Sequence, residues 1–330
     1  MGETKSEWPF PAKADIKLCF AHAAYRLGER FEIRKRGITF NEVRDREKLA
    51  QALPDTDVLI VSGLWADPLL EQAPRLRFIQ SISSGTDQFG RQALRERGIR
   101  LASAAGVNAQ AVAEHALALM LALARRLPEA RDNQQKARWR GMIGDLSQRE
   151  DELKGKTVLI VGMGRIGVKI AALTKAFGMQ VIGMRDRPQM GANGADEIHA
   201  IDALAQQVAR ADYVVLCCAL TPQTEGVVNA QVLTAMKPSA FLINVARGRV
   251  VDEPALVKAL QDHRFAGAAL DVVVDEPMPS DRVLWTLPHV LITPHSAGET
   301  RAYEDQVLDI LEENLDRLWR GEPHLHNQIV

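Results

Sequence analysis

Three short stretches in the second half of the chain set an ionisable side chain after an apolar run. They are Asn244-Val-Ala-Arg-Gly248, Leu270-Asp-Val-Val-Val-Asp-Glu-Pro277 and Ile292-Thr-Pro-His-Ser-Ala-Gly298. The runs read as strands, so Arg247, Glu276 and His295 each follow a strand's carboxyl end, where open α/β sheets bind ligands. As a set they suit proton transfer. A protonated imidazole can give its proton to an oxygen that is gaining negative charge, and a nearby guanidinium stabilises that charge. A carboxylate beside the imidazole holds its pKa above the usual value of about 6.5. Singly, each residue has an ordinary structural explanation, such as a surface ion pair for Arg247 or a turn for Glu276. Jointly, at one edge of one sheet, they point to a reaction centre.

A fourth stretch, Thr157-Val-Leu-Ile-Val-Gly-Met-Gly-Arg-Ile-Gly-Val168, sets Gly162, Gly164 and Gly167 between a strand and a helix-compatible segment over 168–177. The first glycine permits a tight turn, the second lets backbone approach a pyrophosphate, and the third lets helix pack on strand. The helix N-terminus adds N–H groups and a partial positive charge. Gly162, Gly164, Arg165, Ile166 and Gly167 are therefore candidate contacts to a dinucleotide. After the next strand comes Arg185, where an NAD-specific site usually carries Asp or Glu about twenty residues past the loop. Arg185 and Arg187 suit a 2′-phosphate through charge-assisted hydrogen bonds. Asp186 between them opposes it, and a solvated position is the other reading of both arginines. The expected coenzyme is NADP(H), with NAD(H) as the alternative.

The positioning elements follow from alternation. Strand-like runs over 16–20, 58–61, 78–82 and 99–102 are separated by polar, helix-compatible stretches, which argues for a parallel sheet in an α/β layer. A long alanine- and leucine-rich stretch over 107–126 reads as a buried helix, suited to connecting two domains and packing on a partner subunit. Six more strands follow, over 158–161, 180–184, 213–218, 241–245, 268–272 and 290–293, the count of a doubly wound dinucleotide-binding sheet. The stretch 303–320 has apolar residues at helical spacing. With the second sheet complete, this helix is expected to return to the first domain. The expected division is 1–107 with 299–330 for substrate, and 108–298 for the dinucleotide.

Bulk composition excludes other classes. The 330 residues carry 41 Lys and Arg against 42 Asp and Glu, a net charge of −1, so no overall field attracts nucleic acid or an anionic membrane. Three cysteines, Cys19, Cys217 and Cys218, lack metal-ligand spacing, and free thiols suit a reducing compartment. No metal is expected. Residues 1–15 read as a loose polar tail without an apolar signal core. The stretch 109–124 is too short to span a bilayer. A cytoplasmic protein is expected.

Taken together, the sequence resembles the D-isomer-specific 2-hydroxyacid dehydrogenases, of the glyoxylate/hydroxypyruvate reductase type. The resemblance runs from about Val58 to the C-terminus. It includes Ser83-Ser-Gly-Thr-Asp87, Val112-Ala-Glu-His115, the glycine loop, Leu220-Thr-Pro-Gln-Thr224, and the Arg, Glu and His stretches in the family's order. It implies a homodimer with a flavodoxin-like substrate domain, a Rossmann-like dinucleotide-binding domain and the active site in the cleft. It further implies that Arg247 binds the substrate carboxylate and polarises the keto oxygen, with His295 as acid/base and Glu276 as its partner. Ser84 and Gly85 would give backbone N–H groups to the same carboxylate, and Ala219, Thr224, Val245 and Asp271 would line the cofactor cleft. The substrate expected is a small 2-keto acid or its D-2-hydroxy acid, with glyoxylate and hydroxypyruvate foremost. Departures are Arg185 in place of an acidic residue, and Val274 where an aromatic often stands before the Glu276 turn.

Two other readings share the scaffold. A formate or phosphite dehydrogenase is disfavoured because formate-oxidising members carry Gln where Glu276 stands. A dinucleotide-sensing corepressor would bind cofactor without turnover. Leu64 and Trp65 are candidates for a substrate wall or for the core, and Trp139 and Met142 for an approach from a neighbouring subunit.

Overall fold

The computed structural model describes residues 10–330; most of the N-terminal tail read from the sequence, residues 1–9, lies outside the described residues. The chain forms two compact units, one running to Asn108 and including Thr300–Val330, the other Ala109–Glu299. Each boundary falls one residue later than the expected division.

The first unit contains β1 (Lys17–Ala21), α1 (Leu27–Ile33), β2 (Thr39–Val43), α2 (Arg46–Ala52), β3 (Val58–Val61), β4 (Phe78–Ser81), α3 (Arg91–Glu96) and β5 (Arg100–Ala102). Its five strands pair in parallel in the order β2-β1-β3-β4-β5, the flavodoxin arrangement. Strands β3 and β4 are buried throughout, as expected of a sheet covered on both faces. One core holds Ile16, Leu18, Phe20, Val58, Ile60 and Phe78, the other Cys19, Leu59, Val61, Ile79 and Leu101.

The second unit contains α4 (Ala109–Ala124), α5 (Leu127–Gln135), β6 (Thr157–Val161), α6 (Arg165–Ala176), β7 (Gln180–Met184), β8 (Glu197–His199), α7 (Leu204–Val208), β9 (Tyr213–Leu216), α8 (Ala230–Ala235), β10 (Phe241–Asn244), α9 (Glu253–Gln261), β11 (Gly267–Leu270) and β12 (Val290–Ile292). The parallel order is β12-β11-β10-β9-β6-β7-β8, a Rossmann-like sheet whose topological switch lies between β6 and β9. The chain then returns to the first unit as α10 (Tyr303–Trp319). Val307, Leu308, Leu311 and Leu315 on this helix join the core around Phe20 and Phe78.

Three readings of the sequence are corrected. The second sheet has seven strands rather than six, because β8 is a three-residue, half-exposed strand without an apolar run. Strand β2, Thr-Phe-Asn-Glu-Val, is an exposed edge whose only buried residue is Val43. Helix α6 starts at Arg165, three residues before the expected start at 168, because its first turn belongs to the glycine loop. Among the described residues no helix is long and apolar enough to cross a membrane, and no group of three metal-ligating side chains occurs.

Candidate active site

The glycine loop follows β6 at the switch point, and each glycine answers a different steric demand. Gly162 has φ +108°, and a methyl group there would lie 2.7 Å from the Cys218 backbone, on the chain leaving β9. A methyl at Gly167 would come within 2.1 Å of the Gly162 carbonyl oxygen, so α6 can pack this closely only on glycine. Gly164 precedes the first residue of α6, and nothing lies within 4 Å of where its side chain would begin. That open space, at the N-terminus of a twelve-residue helix, fits a pyrophosphate. Arg165 opens the helix, and Ile166 packs partly against the core.

Beside it, the β9 loop is shaped by Thr224, whose hydroxyl donates to the Ala219 carbonyl (2.6 Å) and accepts from the Thr221 N–H (2.8 Å). Val245 is buried at the end of β10. Arg185 follows β7 half-buried; its guanidinium donates to the Gly191 carbonyl at 3.2 Å and approaches the Met190 sulfur at 3.6 Å. No carboxylate among the described residues pairs with it, so its charge is available to an anion. Arg187 and Asp186 are exposed and pair only loosely with each other, at 3.9 Å.

Arg247, Glu276 and His295 belong to one unit and follow β10, β11 and β12, three adjacent strands. Buried Asn244 shapes the first turn: its amide accepts from the Ala246 N–H at 3.0 Å and donates to the Arg247 carbonyl at 3.1 Å. The Arg247 guanidinium donates to the Ala246 carbonyl at 2.7 Å. A methyl at Gly248 would lie 2.0 Å from the Val273 carbonyl carbon, so glycine lets the β10 turn close on the loop that carries Glu276.

His295 Nδ1 lies 2.6 Å from Glu276 Oε2. A carboxylate only accepts, so Nδ1 carries the proton. The other carboxylate oxygen, Oε1, accepts from the Val273 N–H at 3.1 Å. The hydrogen bond and charge of Glu276 raise the His295 pKa against the lowering effects of burial and Arg247. Burial pushes Glu276 upward, but the bond to His295, the His295 and Arg247 charges and the Val273 N–H leave it below its usual value. His295 also has φ +54°, a left-handed conformation that non-glycine residues adopt uncommonly.

Sequence reasoning missed the polar groups that hold this conformation. Asp271, expected by resemblance to line the cofactor cleft, points its buried carboxylate at the His295 loop, accepting from Thr293 Oγ1 (2.6 Å), Ser296 N (3.0 Å) and Ala297 N (3.1 Å). His115, quoted only as part of a motif, reaches Thr293 from α4. Trp65 proves to be core: 3% exposed, it stacks on Phe89 and donates to Asp67 at 3.2 Å. Leu64 packs partly against the same core. Ser84 and Gly85 lie in the first unit after β4, where the Ser84 hydroxyl is 3.1 Å from Asn108 Oδ1. Trp139 and Met142 are fully exposed.

Residues 117–297 match the family described as D-isomer specific 2-hydroxyacid dehydrogenase, NAD binding domain. The chain is 37% identical to the glyoxylate/hydroxypyruvate reductase B of Pectobacterium carotovorum over 273 residues, 82% of this chain and 85% of that protein. It is 34% identical to the D-3-phosphoglycerate dehydrogenase of Methanocaldococcus jannaschii over 280 residues, 84% of this chain. It spans about half of that relative's length, 52%. Among solved structures, the NADPH-dependent glyoxylate/hydroxypyruvate reductase of Sinorhizobium meliloti, in complex with NADP and malonate, superposes with a TM-score of 0.80 at 28% identity. That match covers 96% of this chain and 97% of that one.

Proposed function

The chain belongs to the D-isomer-specific 2-hydroxyacid dehydrogenase family, and from that premise we propose that it reduces glyoxylate or hydroxypyruvate with NADP(H) in preference to NAD(H). The observation that carries the reading is the 2.6 Å contact of His295 with Glu276, in a site where the Arg247 charge acts on both.

The dinucleotide supplies the hydride. Gly162, Gly164, Arg165, Ile166 and Gly167 would hold its pyrophosphate, Ala219, Thr224 and Val245 its nicotinamide half, and Arg185 a 2′-phosphate, while buried Asp271 would act behind that cleft by holding the His295 loop. Arg247 pairs with the substrate carboxylate and stabilises charge on the keto oxygen. His295, kept protonated by Glu276, gives that oxygen its proton; in the reverse direction it takes the proton back.

The bond between Glu276 and His295 favours a hydroxyacid over formate, since it keeps an acid charged where formate oxidation transfers no proton to an oxygen. The fully exposed Trp139 and Met142 support a homodimer, and the free thiols of Cys19, Cys217 and Cys218 support a reducing, cytoplasmic compartment. A panel of 2-keto acids assayed with NADPH and NADH in parallel tests the proposal. Binding of dinucleotide with no turnover of any keto acid would instead support a sensor of the corepressor type.

A further inference from the structure

We infer that His115 is a positioning residue for His295, acting through Thr293 and Asp271. The inference rests on the acid/base role proposed above for His295 and adds a residue that touches neither substrate nor dinucleotide in that scheme.

The Asp271 side chain is 1% exposed, and a buried carboxylate persists only with donors around it. Its Oδ1 accepts from the Thr293 hydroxyl and the Ser296 N–H, its Oδ2 from the Ala297 N–H. Because the Thr293 hydroxyl proton is spent on Asp271, the oxygen can only accept from its other neighbour. That neighbour is His115 Nε2, at 3.0 Å and also 3.5 Å from Asp271 Oδ1. The ring of His115 is therefore protonated on Nε2. The Asp271 backbone carbonyl, in turn, accepts the His295 N–H at 2.8 Å.

Asp271 thus ties down His295 itself and three of the residues around it, 293, 296 and 297. The left-handed φ of His295 is the conformation such bonds must hold, since strained backbone persists where its surroundings over-determine it. In that conformation the imidazole faces Glu276. His115 closes the chain of donors from a different element, α4, and so fixes the Thr293 hydroxyl in the direction Asp271 requires.

The test compares His115→Phe and Thr293→Val, which remove a link, with His115→Gln and Thr293→Ser, which keep a donor or hydroxyl. Two quantities are read in the 330-residue chain: steady-state kinetics with NADPH and a 2-keto acid, and the NMR titration of the His295 ring without substrate. Glu276, Arg247 and Asp271 are the charged groups acting on that ring. The expected result is a 10- to 100-fold lower kcat, roughly the effect of a misplaced catalytic group, with KM for NADPH unchanged. The His295 midpoint should fall toward about 6.5, and the conservative variants should restore both. An unchanged His295 midpoint in His115→Phe and Thr293→Val would overturn the inference, as would a loss of melting temperature with an unaltered pH profile. The titration needs no substrate, so it decides the matter even if the wild-type protein reduces no 2-keto acid. His115 is partly exposed, and its variants keep the experiment readable should Thr293→Val not fold.

Discussion

His295 Nδ1 and Glu276 Oε2 stand 2.6 Å apart although they lie nineteen positions apart in the chain. The contact joins the ends of two neighbouring strands, β11 and β12, paired in parallel from Ala268 with Val290 to Leu270 with Ile292. It orients the imidazole and raises its pKa.

The pH dependence follows from that contact. A raised pKa keeps His295 protonated above the ordinary imidazole range, and the proton is lost as pH rises through the folded-state value. Reduction should therefore decline on the alkaline side, and oxidation should rise there. Glu276→Gln removes the first cause of the raised pKa, so the decline should move to lower pH. His295→Gln should depress the rate at every pH. An unchanged kcat/KM profile in Glu276→Gln would remove that carboxylate from the mechanism.

Arg247→Ala should lose about two to three decades of kcat/KM, the effect of deleting roughly 3–4 kcal/mol of transition-state stabilisation. Circular dichroism should show an intact fold, because the Asn244 bonds that shape the turn involve backbone groups of Ala246 and Arg247. Near wild-type reduction of glyoxylate and hydroxypyruvate by the variant would refute the role.

Gly167→Ala should abolish dinucleotide binding. The added methyl would fall 2.1 Å from the Gly162 carbonyl oxygen, so either α6 shifts from β6 or the Gly162 turn opens. Fluorescence titration with NADPH checks this, and binding at wild-type affinity would show that the loop relaxes without harm.

Arg185→Asp should weaken NADPH use by about 10- to 150-fold, the range given by roughly 1.5–3 kcal/mol for a hydrogen bond to a charged group. NADH use should stay level or improve. A wild-type enzyme already more efficient with NADH would mean that Arg185 serves only the 188–191 loop, through its bond to the Gly191 carbonyl.

Asn314→Leu tests how α10 is fixed in the first unit. Fully buried Asn314 donates to Gln80 Oε1 (3.0 Å) and to the His326 carbonyl (3.2 Å), and accepts from the His326 N–H (2.7 Å). The leucine would strand these groups at about 1–3 kcal/mol for each one left unpaired. Urea unfolding should show a lower midpoint; an unchanged midpoint would mean that water replaces the amide.

The sequence by itself determined what local chemistry dictates. Apolar runs marked the buried strands, helical spacing marked α10, and three glycines between strand and helix marked the phosphate loop. Arg247, Glu276 and His295 could be singled out because each follows a strand, a relation visible in one dimension. Strands β2 and β8 were illegible because Thr-Phe-Asn-Glu-Val and Glu-Ile-His carry no apolar run, whereas the other two edge strands, β5 and β12, do. Only the tertiary structure decided which strand ends are neighbours, since sheet order is set by packing over the whole unit. The bond of Glu276 to His295, the left-handed turn at His295, the burial of Trp65 against Phe89 and the aim of Asp271 at residues 293–297 all depend on side-chain direction. That direction is fixed by partners far away in the chain, and residue type and spacing do not encode it.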